Sequence, residues 1–235
     1  MSNDRSTLTA ALDLAPTPWQ RDLRVAGFGL LLLLAWDASG WDLVAAEFFG
    51  GPHGFAWRDH WLTSRVLHDG GRALGWAVLL ALVVNVWRPW IAGPTQAERV
   101  RWVLLTLACV TLIPAIKRVS PTSCPWDLAE FGGAAHYVSH WRFALTDGGA
   151  GHCFPSGHAT AAFGFLSGFF VLRRSRPELA RRWLWGVVTA GTLFGTAQLM
   201  RGAHYPSHTL WSAWGCWLLS LLGAPRAGAR ARPQP

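Results

Sequence analysis

The sequence predicts an all-α membrane protein, a six-transmembrane-helix bundle, and composition and apolar patterning are the observations behind that prediction. Half of the 235 residues are hydrophobic (51%) and only 14% are charged. The chain also carries 16 tryptophans and 12 phenylalanines, far more than a soluble domain of this size usually has. The apolar residues are gathered in six stretches, and helices are their expected form because lipid offers backbone groups no water to pair with.

The six predicted spans are about Leu23–Val44, Arg72–Trp87, Trp102–Ile116, Pro155–Leu172, Trp183–Leu199 and Thr209–Leu222. Asp37 and Asp42 interrupt the first span, and Pro114 is expected to kink or end the third. Several stretches are near the short end of the roughly 17–25 residues that a crossing needs, but flanking aromatic residues and arginines extend them. Residues 45–70, between the first two spans, are predicted to form an interfacial helical segment.

The domain organisation follows from these spans. A single membrane-embedded domain is predicted over residues 23–224, between cytoplasmic tails at 1–22 and 225–235. The N-terminal tail is polar and lacks the basic-then-apolar order of a cleaved signal. Two thirds of the 21 basic residues fall on the side of the two termini, which places both termini in the cytoplasm. Topology therefore explains the net charge of +8, and no nucleic-acid partner is expected.

The histidines show a second asymmetry, because all nine fall on the predicted outer side. Polar residues there are concentrated in three segments, Lys117–Trp126, Gly151–His158 and Gln198–His208, which the topology would bring together at one membrane face. Function is commonly carried by loops on a rigid scaffold, so the outer face is where chemistry is expected.

The residues of these segments suit an anion. Pro155 to His158 open a predicted helix, where Ser156 and Gly157 would present free backbone N–H groups to a phosphate. Lys117, the only lysine in the chain, and Arg201 would supply positive charge. His158 and His204 are then available as nucleophile and general acid.

At these positions the chain resembles the type-2 phosphatidic acid phosphatase family, membrane phosphatases related in fold to the vanadium haloperoxidases. The family has three motifs, K-x6-R-P, P-S-G-H and S-R-x5-H-x3-D. The second is intact at Pro155–His158. The first matches at Lys117 and Pro125, with Cys124 in place of the arginine.

The third motif departs further from the family. It matches at His204, but Gln198 stands in place of the arginine and His208 in place of the aspartate. Arg201 lies one helical turn after Gln198 and would supply the missing guanidinium. The resemblance is clearest over residues 70–222.

The resemblance implies that His204 attacks phosphorus to form a phosphohistidine and that His158 protonates the leaving oxygen. His208 would take the place of the family aspartate beside His204, although swapped roles for the two histidines stay open. Asp127, Glu130 or Asp147 are alternative partners of His204. The phosphate oxygens would be held by Lys117, Arg201 and the backbone of Ser156 and Gly157. No metal or other cofactor is implied.

The function that the resemblance implies is hydrolysis of a phosphate monoester or diphosphate on an envelope lipid, at the periplasmic face of a bacterial inner membrane. Undecaprenyl diphosphate, phosphatidic acid or phosphatidylglycerol phosphate, and lipid A 1-phosphate are the candidate substrates. A phosphotransferase would use the same residues. The other class is a non-enzymatic metal-binding or transport protein, in which His204 and His208 would be a ligand pair at i, i+4.

Three further expectations concern single residues and assembly. Cys124 and Cys153 either form a disulfide or stay as two thiols. Five of the other outer histidines, His53, His60, His68, His136 and His140, are predicted at the surface, and the place of His152 is left open. The oligomeric state is left open by the sequence.

Overall fold

A computed structural model describes residues 17–224, and these residues are mainly helical. The α-helices are α1 Pro18–Ser39, α2 Trp41–Glu47, α3 Gly71–Trp87, α4 Gln96–Arg118, α5 Thr160–Phe163, α6 Ser167–Leu172, α7 Pro177–Met200 and α8 Pro206–Gly223. A π-helix, Leu62–Gly70, runs directly into α3, and short 3-10 turns cover Pro125–Asp127, Ala129–Phe131 and Gly164–Leu166. One small antiparallel hairpin pairs β1, Gly50–Gly51, with β2, Gly54–Phe55.

The helical class is confirmed, and a helix lies at each of the six predicted positions. By length and composition, however, only two helical stretches of the described chain qualify as membrane spans, Leu62–Trp87 and Gln96–Arg118. The pair α1 and α2, bent by 69° at Gly40, would add a third if it is one broken span. Thr160–Leu172 is apolar but shorter. The number of crossings therefore stays a prediction.

Helix α1 begins earlier than the sequence predicted, at Pro18 rather than about Leu23. The Thr17 side chain accepts a hydrogen bond from the Gln20 N–H, and the Gln20 side chain accepts one from the Thr17 N–H. This reciprocal cap satisfies two N–H groups that would otherwise lack partners. The rest of the predicted N-terminal tail and the predicted C-terminal tail, residues 225–235, lie outside the described residues.

Basic loops meet at one end of the bundle. Arg173, after α6, forms an ion pair with Asp22 near the start of α1. The Arg176 side chain donates to the Ala92 carbonyl in the loop after α3, at 3.1 Å. The first turn of α4 is at this end, so its last turn, which carries Lys117, lies at the other.

The middle of the bundle is held by close packing around α6. A Cβ built at Gly168 would lie 2.3 Å from Trp183 Nε1 and 2.5 Å from Trp102 Cζ2, so only glycine fits there. The Trp183 indole also donates to the Phe165 carbonyl at 2.8 Å. This contact fixes the segment that follows His158 between α4 and α7.

Asp42, which interrupts the first predicted span, anchors the start of α8. One carboxylate oxygen accepts the Ser207 N–H at 3.0 Å and the Trp36 indole N–H at 2.9 Å, and the other accepts the Ser207 hydroxyl. A carboxylate at a helix N-terminus is favourable because the helix dipole is positive there. The bend at Gly40 (φ 72°) is what turns Asp42 toward α8.

Replacing Asp42 with alanine is expected to destabilise the fold, because it leaves two buried donors of Ser207 and one of Trp36 without an acceptor. We expect a loss of about 2–3 kcal/mol, seen as a fall of roughly 5–10 °C in the thermal unfolding midpoint in detergent. Asp59→Ala, at an exposed position, is the matched control. A midpoint for Asp42→Ala equal to that of the control would contradict the anchoring role.

Candidate active site

A cavity of about 550 Å³ lies beside the last turn of α4, away from the basic loops. Five of the seven predicted site residues lie in its wall: Lys117, Gly157, His158, Arg201 and His204. The π-helix and α3 add His68 and Arg72. The three sequence-distant segments are therefore neighbours in the fold. Ser156 and His208 lie behind this wall.

Helix α4 carries Lys117 into the cavity. Pro114 lies inside the helix, which continues past it to Arg118, so the proline does not end the helix. The Lys117 side chain runs beside Gly157, since a Cβ built at Gly157 would lie 3.5 Å from Lys117 Cδ. Lys117 and the Gly157 backbone thus border the same part of the cavity.

A disulfide between Cys124 and Cys153 joins the first segment to the second. Of the two alternatives left by the sequence, the structure has the bonded one. Cys153 Sγ also lies 3.5 Å from His204 Nδ1, so the disulfide forms part of the surroundings of that histidine. The cross-link between residues 29 apart fixes the loop against the site.

Ser156 is placed differently from the prediction. It is fully buried, its N–H donates to the His208 carbonyl at 3.1 Å, and its own carbonyl accepts the Ser212 hydroxyl at 2.8 Å. The N–H predicted to bind phosphate is therefore already used to hold the segment against α8. The helix itself starts at Thr160 rather than Pro155, because the chain turns at Gly157 before it becomes helical. Of this pair, Gly157 is the residue that faces the cavity.

His204 lies in the turn between α7 and α8 and is 3% exposed, while His208 lies in the first turn of α8. Their Nδ1 atoms are 3.4 Å apart. A hydrogen bond between two imidazole nitrogens needs one proton and one lone pair. When His204 Nδ1 donates that proton, its Nε2 keeps the lone pair that a nucleophile requires.

The acidic residues proposed as alternative partners of His204 have other roles. Asp147 accepts from Ser123 and from the Gly149 N–H. Asp127 accepts the Cys124 N–H at 3.1 Å, and Glu130 is exposed. His208 is thus the polar side chain that the described structure places against His204 Nδ1, together with the disulfide sulfur.

The prediction that His140 lies at the surface is wrong. Its ring stacks on Phe154 at 4.1 Å, its Nε2 lies 3.4 Å from Asp37 Oδ2, and the residue is only 5% exposed. Its ring is also edge-on to His208 at 5.8 Å. The sequence offered no periodic signal for this contact, which joins the loop before the disulfide to α1 and α8.

His53, His60 and His136 are exposed as predicted, and His68 is partly exposed, with 31% of its side-chain surface accessible. The His68 ring stacks on the His158 ring, with centroids 4.4 Å apart and planes 20° from parallel. His158 Nε2 lies 3.4 Å from the Leu67 carbonyl of the same segment. The predicted interfacial segment therefore folds over the site.

Arg201 is held at the cavity by contacts with Arg58 and Gln198. Its Nε donates to the Arg58 carbonyl at 2.8 Å, and its Nη1 lies 3.5 Å from Gln198 Oε1. The Arg58 guanidinium covers the Trp126 ring at 4.6 Å. These contacts fix the Arg201 guanidinium near the position at which the family motif places an arginine.

The polar end of the cavity is electropositive. Lys117, Arg72 and Arg201 all border it. Burial in apolar surroundings, and secondarily the charge of Lys117, holds the pKa of His204 well below its ordinary value of 6.5. His204 is therefore neutral at neutral pH, and the site favours an anion.

Among residues 17–224, two groups of side chains have ligand-type atoms close enough for a metal. Cys153, His204 and His208 have such atoms within 4.8 Å of one another, but the Cys153 sulfur is in the disulfide, which leaves two imidazoles. In the other group, Asp37, Asp42 and His140, the Asp42 oxygens already accept from Ser207 and Trp36. Neither group offers three free ligands of the kind that a structural zinc site requires.

The comparison with known proteins agrees with this geometry. The family model described as PAP2 superfamily matches residues 99–230, more than half of the chain, and this range contains the three segments predicted from the sequence. No curated protein and no solved structure matches the chain significantly. On the family match, the chain belongs to the PAP2 superfamily, whose members are phosphatases that act on phosphate esters.

Proposed function

We propose that the protein is a membrane-bound lipid phosphatase that hydrolyses a phosphate monoester or diphosphate of an envelope lipid through a phosphohistidine on His204. The observation that carries the proposal is the two-part wall of the cavity. One part carries the cations and histidines, and the other is apolar. A phosphate group attached to a long apolar chain has the same two-part character.

The apolar part of the wall is formed by the helices that qualify as membrane spans. It comprises Trp76 and Leu79 of α3 and Val110 and Pro114 of α4, with Phe165 behind them. The outer surfaces of these helices are apolar as well, with Trp76, Leu80 and Leu104 each more than half exposed. A lipid tail lying in the bilayer would thus reach the cavity from the side, with its headgroup at the last turn of α4.

The reaction follows from the histidines. Nε2 of His204 attacks phosphorus, the bond from phosphorus to the leaving oxygen breaks, and His158 gives its proton to that oxygen. A water molecule then attacks the phosphohistidine while His158 takes up a proton from it. Inorganic phosphate is released, and both histidines return to their starting states.

Lys117, Arg201 and the Gly157 N–H support the transition state, since each borders the same space as His204. Charge in phosphoryl transfer gathers on the equatorial oxygens, where fixed cations and N–H groups stabilise it most. His208 Nδ1 accepts a hydrogen bond from His204 Nδ1–H, which keeps Nε2 of His204 aimed at the substrate. As a neutral acceptor it stabilises the charged His204 less than a carboxylate would.

We place the cavity at the periplasmic face of a bacterial inner membrane. Arg173 and Arg176 lie at the end of the bundle opposite the cavity. Basic residues are enriched in cytoplasmic loops, which supports a cytoplasmic location for that end. The disulfide at the opposite end supports an oxidising compartment.

Replacing either histidine should abolish phosphate release from a short-chain lipid phosphate in detergent. We expect His204→Ala to lower kcat/KM by at least about 10³-fold and His158→Ala by about 10²–10⁴-fold. The exposed His136→Ala serves as the matched control. Wild-type activity should persist in chelator, and strict dependence on an added metal would contradict the proposal.

The buried state of His204 sets the acidic limit of activity. Because its pKa lies well below 6.5, the nucleophile stays neutral as the pH falls through 6.5 and is protonated only at lower pH. A profile of kcat/KM against pH reports the ionisations of the free enzyme, and its acidic limb should lie well below 6.5. An acidic limb centred at or above 6.5 would show that His204 is not the buried neutral nucleophile.

The orientation is tested by labelling single added cysteines in intact cells with a membrane-impermeant maleimide. The exposed His53→Cys should react in intact cells, and the exposed Arg182→Cys only after permeabilisation. The native free cysteines, Cys109 and Cys216, are buried, so background labelling is low. The reverse pattern would place the cavity on the cytoplasmic side.

A further inference from the structure

Two basic side chains at the cavity belong to neither the proposed nucleophile nor its phosphate cradle. His68, at the end of the π-helix, and Arg72, in the first turn of α3, both border the cavity. They precede residue 99, where the family match begins. They therefore lie outside the matched range, at a site that already has Lys117 and Arg201.

The His68 ring is oriented by a neighbouring carboxylate. Its Nδ1 lies 3.0 Å from an Asp69 carboxylate oxygen. A carboxylate at Nδ1 fixes the orientation of the ring. It leaves Nε2 as the nitrogen available to a ligand, to which the doubly protonated ring donates a hydrogen bond.

The stacking of His68 on His158 fixes where such a ligand would lie. The two rings are 4.4 Å apart. In the proposed reaction His158 protonates the leaving oxygen, so His68 lies next to whatever group is bonded to that oxygen. Two basic side chains, His68 and Arg72, favour a group at that point that is itself an anion.

Beyond Arg72, the face of α3 that borders the cavity is apolar. Arg72, Trp76 and Leu79 are spaced by four and three residues, so they lie on one face of the helix, and all border the cavity. His68 lies four residues before Arg72. The order along this surface is thus two basic side chains followed by an apolar wall.

Resting on the proposed function, we infer that His68 and Arg72 form a subsite for a second phosphate, which makes a diphosphate ester of an apolar chain the preferred substrate class. The terminal phosphate binds at Lys117, Arg201 and Gly157, where His204 attacks it. The inner phosphate, bonded to the apolar chain, binds at His68 and Arg72.

In the reaction, the bond between the terminal phosphorus and the bridging oxygen breaks, and its electron pair stays on that oxygen. His158 supplies a proton to the oxygen, and the lipid monophosphate leaves from the His68–Arg72 subsite. Water then releases inorganic phosphate from His204.

The test uses the purified full-length chain in detergent with dodecyl diphosphate and dodecyl phosphate, which differ only in the second phosphate. The readout is the ratio of kcat/KM for the diphosphate to that for the monophosphate. We expect the wild type to favour the diphosphate, and Arg72→Gln or His68→Ala to lower the ratio by roughly 10–100-fold, as charge-assisted hydrogen bonds predict. Arg65→Gln, an exposed position on the π-helix, is the matched control and should keep the wild-type ratio.

Two results would overturn the inference: a wild-type ratio at or below one, or an equal loss of activity on both substrates in Arg72→Gln and His68→Ala. An equal loss would assign these residues to the transferred phosphate or to folding. The proposed function fails differently, when the wild type hydrolyses neither substrate or when His204→Ala remains active.

Discussion

The first turn of α8 is the element on which the candidate site depends. It carries His208, whose Nδ1 faces His204, and it is held from two sides. The Asp42 carboxylate accepts the N–H and hydroxyl of Ser207, and the Ser156 N–H donates to the His208 carbonyl. These buried contacts tie α2 and the start of the α5 segment to the same turn. In an apolar interior such hydrogen bonds are costly to break, so the position of the two histidines is well defined.

That arrangement explains how a neutral histidine can stand where the related family has an aspartate. A buried imidazole can accept a hydrogen bond from His204 Nδ1–H without bringing a negative charge into an apolar region. The nearby carboxyl groups of Asp37 and Asp42 are instead occupied by hydrogen bonds from indole, hydroxyl and N–H donors. The proposed chemistry therefore rests on a neutral nucleophile beside Lys117 rather than on a histidine–carboxylate pair.

Much of the site was predictable because local sequence determines it. A Pro-Ser-Gly-His turn, a lysine at the end of an apolar helix and a histidine in the next interhelical turn placed Gly157, Lys117 and His204 at one cavity. Residues whose role depends on distant contacts were not predictable. Asp42 reaches Ser207 across 165 residues and His140 stacks on Phe154 from another loop, and neither contact leaves a pattern in the sequence.

The positions of the helices were also predictable from local sequence, whereas their exact first residues were not. Apolar stretches located the helices, but capping by Thr17 moved the start of α1, and the turn at Gly157 moved the start of the α5 segment. His68 was missed because a histidine in a polar interhelical segment has no distinguishing spacing. Only the fold brings it onto His158.

The central claim is that His204 becomes phosphorylated during turnover, and rapid acid-free quenching of the purified protein with a ³²P-labelled lipid phosphate tests it most directly. Phosphohistidine is stable to base and labile to acid, so the label can be assigned to a residue by peptide mapping under alkaline conditions. We predict label on His204, and none in His204→Ala. Label on His208 or His158, or turnover with no covalent label under conditions that trap the intermediate, would contradict the account.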